Sequence, residues 1–312
     1  MSDIVARVRD GNIRSAGRLI SMIEAGDPSI EALLSLIYPH TGKSFRIGVT
    51  GPPGAGKSTL ICELAGAYLA SGRSVGIIAV DITSPFTGGA LLGDRIRMQE
   101  LTRDDRVFIR SIGNDGRPGG LSRSAQDAMR VLEAMGKGVV IVETAGVGQT
   151  DVDVVDSVDA VVLVTVPEAG DEVQALKAGI LEAADVIVLN KADRPEADGL
   201  GTELQELVTG DYVGAGWQVP VIRTAASTGD GVDKLCEAIN AYETYAKEEN
   251  RLGARRKLQL EKEMRTRLRE KMIATVDHSL DRIDLSEVVN LVNKGEKDLY
   301  EVVKDLVNFH KS

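Results

Sequence analysis

Short apolar runs rich in Val and Ile alternate with stretches of helical spacing from residue 45 onward. The runs 45–50, 75–81, 107–111, 139–143, 160–166, 186–190 and 219–224 are nearly continuous in apolar character, without the polar alternation of a strand with one wet face. They predict strands buried on both sides, in a mostly parallel, helix-covered sheet of the α/β class. Such sheets bind ligands at the carboxyl ends of their strands. Ahead of this core, residues 4–38 place Leu19, Ile20, Ile23, Leu33, Leu34 and Ile37 at helical spacing, and Gly26-Asp27-Pro28 interrupts them, which predicts a helical hairpin. After about Tyr242 the chain becomes charge-dense, with Leu260, Met264, Leu268 and Met272 spaced by four. A single apolar stripe on a charged helix needs a partner surface, either the chain's own core or a second copy acting as a dimerisation arm. The expected organisation is an N-terminal helical segment (1–42), an α/β domain (43–242) and a C-terminal helical arm (243–312).

Composition narrows the classes. With 312 residues, 43% hydrophobic and 27% charged, the chain has the balance of a folded globular protein rather than a disordered one. A formal net charge of -10 argues against bulk nucleic-acid binding, which needs clustered Lys and Arg outweighing the acids. Any phosphate it binds is therefore bound locally. Cys62 and Cys236 stand far apart in helical apolar patterns and read as core thiols, not as a disulfide or metal pair. The longest apolar runs are strand-length and the first twelve residues lack an apolar core, so no membrane or export segment is expected. The cytoplasm or an organelle matrix suits such a chain.

Local chemistry then appears where the predicted strands end. Gly51-Pro52-Pro53-Gly54-Ala55-Gly56-Lys57-Ser58 matches GxxxxGK[ST] between a predicted strand and the helical run 59–69 that begins at Thr59. Glycines in this pattern let backbone N–H groups turn inward around phosphates, and the helix N-terminus adds its positive dipole end. Lys57 neutralises phosphate charge, and the Ser58 hydroxyl is placed for Mg²⁺. Asp81, Asp94 and Glu143 are expected at the same rim as candidate metal carboxylates, or, for Asp81 and Asp94, as helix-cap or turn residues. Mg²⁺ keeps waters in its octahedron, so some of these act through water. Gly146, in the Thr144-Ala145-Gly146 stretch after Glu143, is placed to offer its N–H to the γ-phosphate. Lys57, Asp94, Glu143 and Gly146 form the expected catalytic set.

Asn190-Lys191-Ala192-Asp193 follows an apolar strand and has the form NKxD. An Asp carboxylate accepts from both the ring N–H and the exocyclic amine of guanine, a pairing that adenine does not offer. Four residues alone are a weak pattern. After a phosphate loop and a carboxylate-ended strand, they favour GTP over ATP. Thr224, Ala225 and Ala226, after the last strand, are candidates to complete the base pocket through their backbone, or are an ordinary strand-to-helix loop.

Taken in order, several further segments are similar to one family, the MeaB/ArgK/MMAA G proteins that serve adenosylcobalamin-dependent acyl-CoA mutases such as methylmalonyl-CoA mutase. They are Asp81-Ile82-Thr83-Ser84-Pro85-Phe86-Thr87-Gly88-Gly89, Leu92-Gly93-Asp94-Arg95-Ile96-Arg97-Met98, Gly119-Gly120-Leu121, Val142-Glu143-Thr144-Ala145-Gly146-Val147-Gly148-Gln149 and Ala169-Gly170-Asp171-Glu172-Val173-Gln174. The resemblance implies a P-loop GTPase that gates cobalamin delivery to the mutase and protects it, in a homodimer built through the C-terminal arm. It also implies that Asp81, Asp94 and Glu143 belong to the Mg²⁺ and switch machinery. Residues 167–177, with Asp171, Glu172 and Lys177, would form a third switch facing the mutase. Asp81-Ile82-Thr83-Ser84 stands where the family usually has Asp-Pro-Ser-Ser, and Ala145-Gly146-Val147-Gly148-Gln149-Thr150-Asp151 where it has Val-Gly-Val-Gly-Gln-Ser-Glu. Those changes leave the mutase subtype open.

Gln149 lies three residues beyond Gly146, too far along to match a water-positioning Gln that directly follows the glycine. Arg95, Arg97 and Arg117 sit in Gly-rich loops, either as solvated charges or as arginine fingers. A nickel metallochaperone GTPase would need a metal site, and His40, His278 and His310 are scattered. A kinase of the ArgK type would use the same Lys57 and Mg²⁺ but needs an acceptor pocket that no motif supplies. A scaffold that binds GTP without turnover is the third alternative.

Overall fold

The computed structural model describes residues 2–81, 101–113, 122–144, 154–169, 181–209, 216–280 and 285–309. Among them the chain forms two compact units, Met1–Arg255 and Arg256–Ser312. The first is built on a seven-stranded sheet. Its strands are β1 Phe45–Thr50, β2 Val75–Asp81, β3 Val107–Gly113, β4 Val139–Glu143, β5 Ala160–Thr165, β6 Val186–Leu189 and β7 Val221–Arg223. Every pairing is parallel, in the order β3-β2-β4-β1-β5-β6-β7. The apolar runs of the sequence thus become strands because both faces are covered: β4, β5 and β6 are buried at every position.

Period-2 alternation divides those strands between cores. Ile47, Val49, Ile77, Val139, Ile141, Val162 and Val164 pack with helices α4 (Lys57–Ala70) and α7 (Val232–Glu248). Ile78, Val80, Val140, Val142 and Val161 face the opposite way, onto α1 (Ser2–Arg9), α2 (Ile13–Glu24), α3 (Ile30–Ile37) and α5 (Arg123–Ala134). Leu163, Ile187 and Leu189 meet α6 (Ala197–Thr209) in a third cluster. Each fully buried aliphatic side chain contributes about 1.5–3 kcal/mol relative to exposure, so the N-terminal helices, whose Leu19, Ile20, Leu33 and Ile37 are almost wholly covered, are bound into this unit by its second core.

The N-terminal segment departs from the expected hairpin. It is three helices, with an additional break between α1 and α2. Gly11 takes a left-handed φ of 80° after α1, and the Asn12 side chain caps α2 by accepting from Ser15 N at 2.9 Å. A glycine stop followed by an Asn cap ends one helix and starts the next. At the far edge β7 begins at Val221, not at Val219. Pro220 has no N–H to give, and its carbonyl accepts from Ile187 N at 3.0 Å.

The charge-dense region divides into α7, which carries Tyr242 and Ala246 into the first core, and the 30-residue α8 (Arg251–Leu280). The second unit holds most of α8, then α9 (Leu285–Asn293) and α10 (Leu299–Phe309). Within it Glu261–Arg265 and Glu263–Arg267 pair at i, i+4. Among the described residues no helix is long and apolar enough to cross a membrane.

Candidate functional site

The phosphate loop follows β1, the central strand, whose neighbours are β4 and β5. The chain leaves β1 for β2 on one side and returns after β4 to β5 on the other, so a crevice opens at the carboxyl end of β1. Gly51, Gly54 and Gly56 have φ of 144°, 75° and 86°. Two of them are also required by close approach. A Cβ on Gly51 would lie 2.0 Å from the Val164 carbonyl oxygen, and one on Gly56 would lie 2.5 Å from Asn190 Nδ2. The pattern Gly51-Pro52-Pro53-Gly54-Ala55-Gly56 therefore wraps the backbone tightly against β5 and the loop after β6. Gly56 gives α4 no side-chain cap, and the first turn of α4 holds no acid. An anion suits that helix start.

Lys57 is buried, and its Nζ donates to Gly51 O at 2.8 Å and Pro52 O at 3.0 Å. The ammonium is thus folded under the loop, onto carbonyls that a phosphate oxygen can replace as acceptor. Pro53 and Gly54 are exposed at the tip, Ala55 is buried beneath it, and Thr59 is half-buried behind Ser58. The Ser58 hydroxyl donates to Glu143 Oε1 at 2.6 Å, which joins two residues 85 positions apart at the ends of different elements. Both offer hard oxygen donors, the type that suits Mg²⁺ and not a soft metal. Among the described residues no three His, Cys, Asp or Glu side chains gather to hold a metal by themselves. Asp81 ends β2, level with Gly113 at the end of β3. Asp94 and Gly146 lie outside the described residues, as do Asp171, Glu172 and Lys177, and Gln149, Arg95, Arg97 and Arg117. Thr144, just after β4, is fixed to the end of β1: its N donates to Val49 O at 3.1 Å and its Oγ1 to Thr50 Oγ1 at 2.9 Å.

Asn190 is the hub of the other half of the site. It is 2% exposed. Its Nδ2 donates to Ala55 O at 2.7 Å, and its Oδ1 accepts from Thr224 Oγ1 at 3.0 Å and Ala226 N at 3.1 Å. One amide therefore binds the phosphate loop to the loop after β7. Lys191 next to it has a φ of 56°, and Ala192 N donates to Thr224 O at 2.9 Å. Asp193 is exposed. Thr224, Ala225 and Ala226 are all buried. The Ala225 N–H donates to Asp230 O at 3.0 Å and the Ala226 N–H to Asn190, so base contacts through these groups require sharing or exchanging those bonds.

The structure brings together Ser58 with Glu143, and Asn190 with Ala55, Thr224 and Ala226. Sequence reasoning missed the Thr50–Thr144 pair and two ion pairs flanking the NKxD loop, Glu168–Arg194 and Asp198–Arg223. Nothing in the sequence distinguishes those charges from solvated ones.

Residues 16–281 match the family model described as "Methylmalonyl Co-A mutase-associated GTPase MeaB". A putative GTPase of Pyrococcus horikoshii is 42% identical over 310 residues, covering 98% of this chain and 97% of that protein. The GTPase ArgK of Escherichia coli is 34% identical, covering 88% and 85%. The mouse mitochondrial methylmalonic aciduria type A homolog is 37% identical, covering 69% and 53%. Among solved structures, a LAO/AO transport system kinase aligns over 100% of this chain and 97% of its own, at 26% identity and a TM-score of 0.74.

Proposed function

Since the chain belongs to the family of methylmalonyl-CoA mutase-associated GTPases represented by MeaB, we propose that this GTPase is Mg²⁺-dependent and uses GTP binding and hydrolysis to gate cobalamin loading of an adenosylcobalamin-dependent acyl-CoA mutase, and to protect that enzyme. The observation that carries the reading is the family match over residues 16–281, set beside a phosphate loop and an NKxD loop stapled by Asn190.

In this reading Lys57 exchanges the Gly51 and Pro52 carbonyls for β- and γ-phosphate oxygens, and the N–H groups of residues 54–59 surround the phosphates. Ser58 and Glu143, with Asp81 and Asp94, would hold Mg²⁺ directly or through water, and the ion would supply Lewis-acid neutralisation of phosphate charge. Asp193 accepts from guanine, while Asn190 keeps its loop in register with the phosphate loop. Gly146 senses the γ-phosphate and passes its presence to the loop after β4. Asp171, Glu172 and Lys177 face the mutase as a switch, and its docking accelerates a slow intrinsic hydrolysis. Leu260, Met264, Leu268 and Met272 are 41%, 63%, 62% and 61% exposed on α8, an apolar row that favours a homodimer through the arm. The protein works in the cytoplasm or an organelle matrix.

GTPase rates with and without an adenosylcobalamin-dependent mutase test the coupling. Asp171→Ala and Lys177→Ala are expected to keep GTP affinity and intrinsic turnover but lose most of the acceleration. Wild-type acceleration in both variants would remove these residues from the switch, and lost GTP binding would place them in the nucleotide site.

A further inference from the structure

The phosphate loop and the strand that carries Glu143 part company at one level of the sheet. β1 and β4 run in register, with Val49 opposite Glu143. Among the described residues their backbone ladder ends where Thr144 N donates to Val49 O at 3.1 Å. The next pair, Thr50 and Thr144, is joined through side chains: Thr144 Oγ1 donates to Thr50 Oγ1 at 2.9 Å. Both residues are buried, 0% and 3% exposed. One step beyond Thr50, Gly51 turns off into the phosphate loop and supplies a carbonyl that holds Lys57. One step before Thr144 stands Glu143, whose Oε1 accepts from Ser58. Alternation puts the hydroxyl pair on the far face of the sheet from that contact. Val49 packs in the first core with α4, and Glu143 meets Ser58 on that helix. Thr50 and Thr144 point the other way, on the face that Val142 lends to the second core. Cohesion alone does not select this chemistry. A pair of valines would fill nearly the same space with no buried hydroxyl to satisfy. What the hydroxyl bond adds is direction, since it holds two strand ends at one distance where apolar contact lets them shift.

We propose that Thr144, through its hydroxyl bond to Thr50, is a positioning residue for Mg²⁺. The bond fixes the end of β4 against the root of the phosphate loop, so that the Glu143 carboxylate and the Ser58 hydroxyl keep the spacing a cation needs. Mg²⁺ demands near-ideal octahedral geometry, so a small shift of the strand end weakens the metal before it weakens the other contacts to nucleotide. Neither threonine touches the ion or the nucleotide in this account. The inference rests on the reading of Ser58 and Glu143 as metal ligands, direct or through water. Groups that orient metal ligands carry about ten- to a hundredfold in metal affinity, and a pair acting through the backbone belongs at the lower end.

Calorimetry on the full chain measures GTP affinity in Mg²⁺ and in a chelator, and the ratio of the two is the metal's contribution to binding. Thr144→Val and Thr50→Val are each expected to lower that ratio about tenfold, while GTP affinity in chelator stays within about twofold of wild type. Each single change also takes a bond from a buried hydroxyl and lowers thermal unfolding. The double variant, Thr50→Val with Thr144→Val, removes both hydroxyls and so separates cohesion from positioning. It is expected to unfold closer to the wild-type temperature than either single variant and still to show the lowered ratio. Thr144→Ser keeps the hydroxyl and should keep the ratio. A double variant with the wild-type ratio, or a Thr144→Ser variant as impaired as Thr144→Val, would overturn the proposal, because the hydroxyls would then serve packing alone. Glu143→Gln in the same series separates the two levels. If its ratio is unchanged, the metal reading itself is wrong; if its ratio is lost while that of Thr144→Val is wild type, the positioning role alone falls.

Discussion

The two ends of the sheet handle buried charge in opposite ways. At the amino end, Asp159 is fully buried and accepts from Arg46 N at 2.9 Å, Nε at 3.3 Å and Nη2 at 3.0 Å. Asp185, before β6, accepts from Val161 N at 2.8 Å and from Arg255 Nη1 at 2.8 Å. Lys137, before β4, donates to Arg106 O at 2.9 Å, and burial pushes its pKa down. These groups join strand beginnings to one another and to the start of α8, and removing a partner leaves a buried group stranded. At the carboxyl end the bonds are of another kind. Lys57 donates to carbonyls of its own loop, and Ser58 to Glu143. Each of those contacts can be exchanged for a phosphate or a cation without breaking the core. The contrast teaches that one end of the same sheet serves cohesion and the other is arranged for replacement by a ligand.

Breaking each end separately sharpens that contrast. Asp159→Ala removes a fully buried carboxylate that accepts from the backbone N–H and the partly exposed guanidinium of Arg46, a loss of charge-assisted hydrogen bonds that costs about 3 kcal/mol. In a unit of this size that lowers the midpoint of thermal unfolding by about 10 °C. GTP affinity measured well below the transition should stay within about two-fold of wild type, and a large loss of affinity would show that the amino end is not independent of the site. Lys57→Ala does the reverse. It removes a charge-assisted contact to phosphate worth about 3 kcal/mol, roughly a hundredfold in affinity, while thermal unfolding without nucleotide should move by only a few degrees. Near-wild-type GTP binding by this variant in calorimetry would contradict its assignment to the phosphates.

How far the sequence carried the reading follows from the range of the interactions. The strands were legible because burial on both faces erases polar alternation, as in β4 and β5. The phosphate loop was legible because its chemistry is written in eight adjacent residues. Asn190 was singled out within NKxD, but its partners Ala55, Thr224 and Ala226 lie 135, 34 and 36 positions away, and no local pattern announces such a staple. The same holds for Ser58 and Glu143 and for Arg194 and Glu168, whose pairing depends on how strand ends align in the sheet. The break at Gly11-Asn12 was visible in principle as a helix stop followed by a cap, but the apolar spacing across residues 4–38 masked it.

The central claim is that the carboxyl end of the sheet reads guanine through Asp193, with Asn190 holding that loop to the phosphate loop. Titration of the full chain and of Asp193→Asn with GTP and with xanthosine triphosphate, both in Mg²⁺, tests it most directly. The account predicts that the wild type prefers GTP and that the variant reverses the preference, because an amide donates where xanthine presents a carbonyl. A variant that still prefers GTP, with its fold intact, would contradict it.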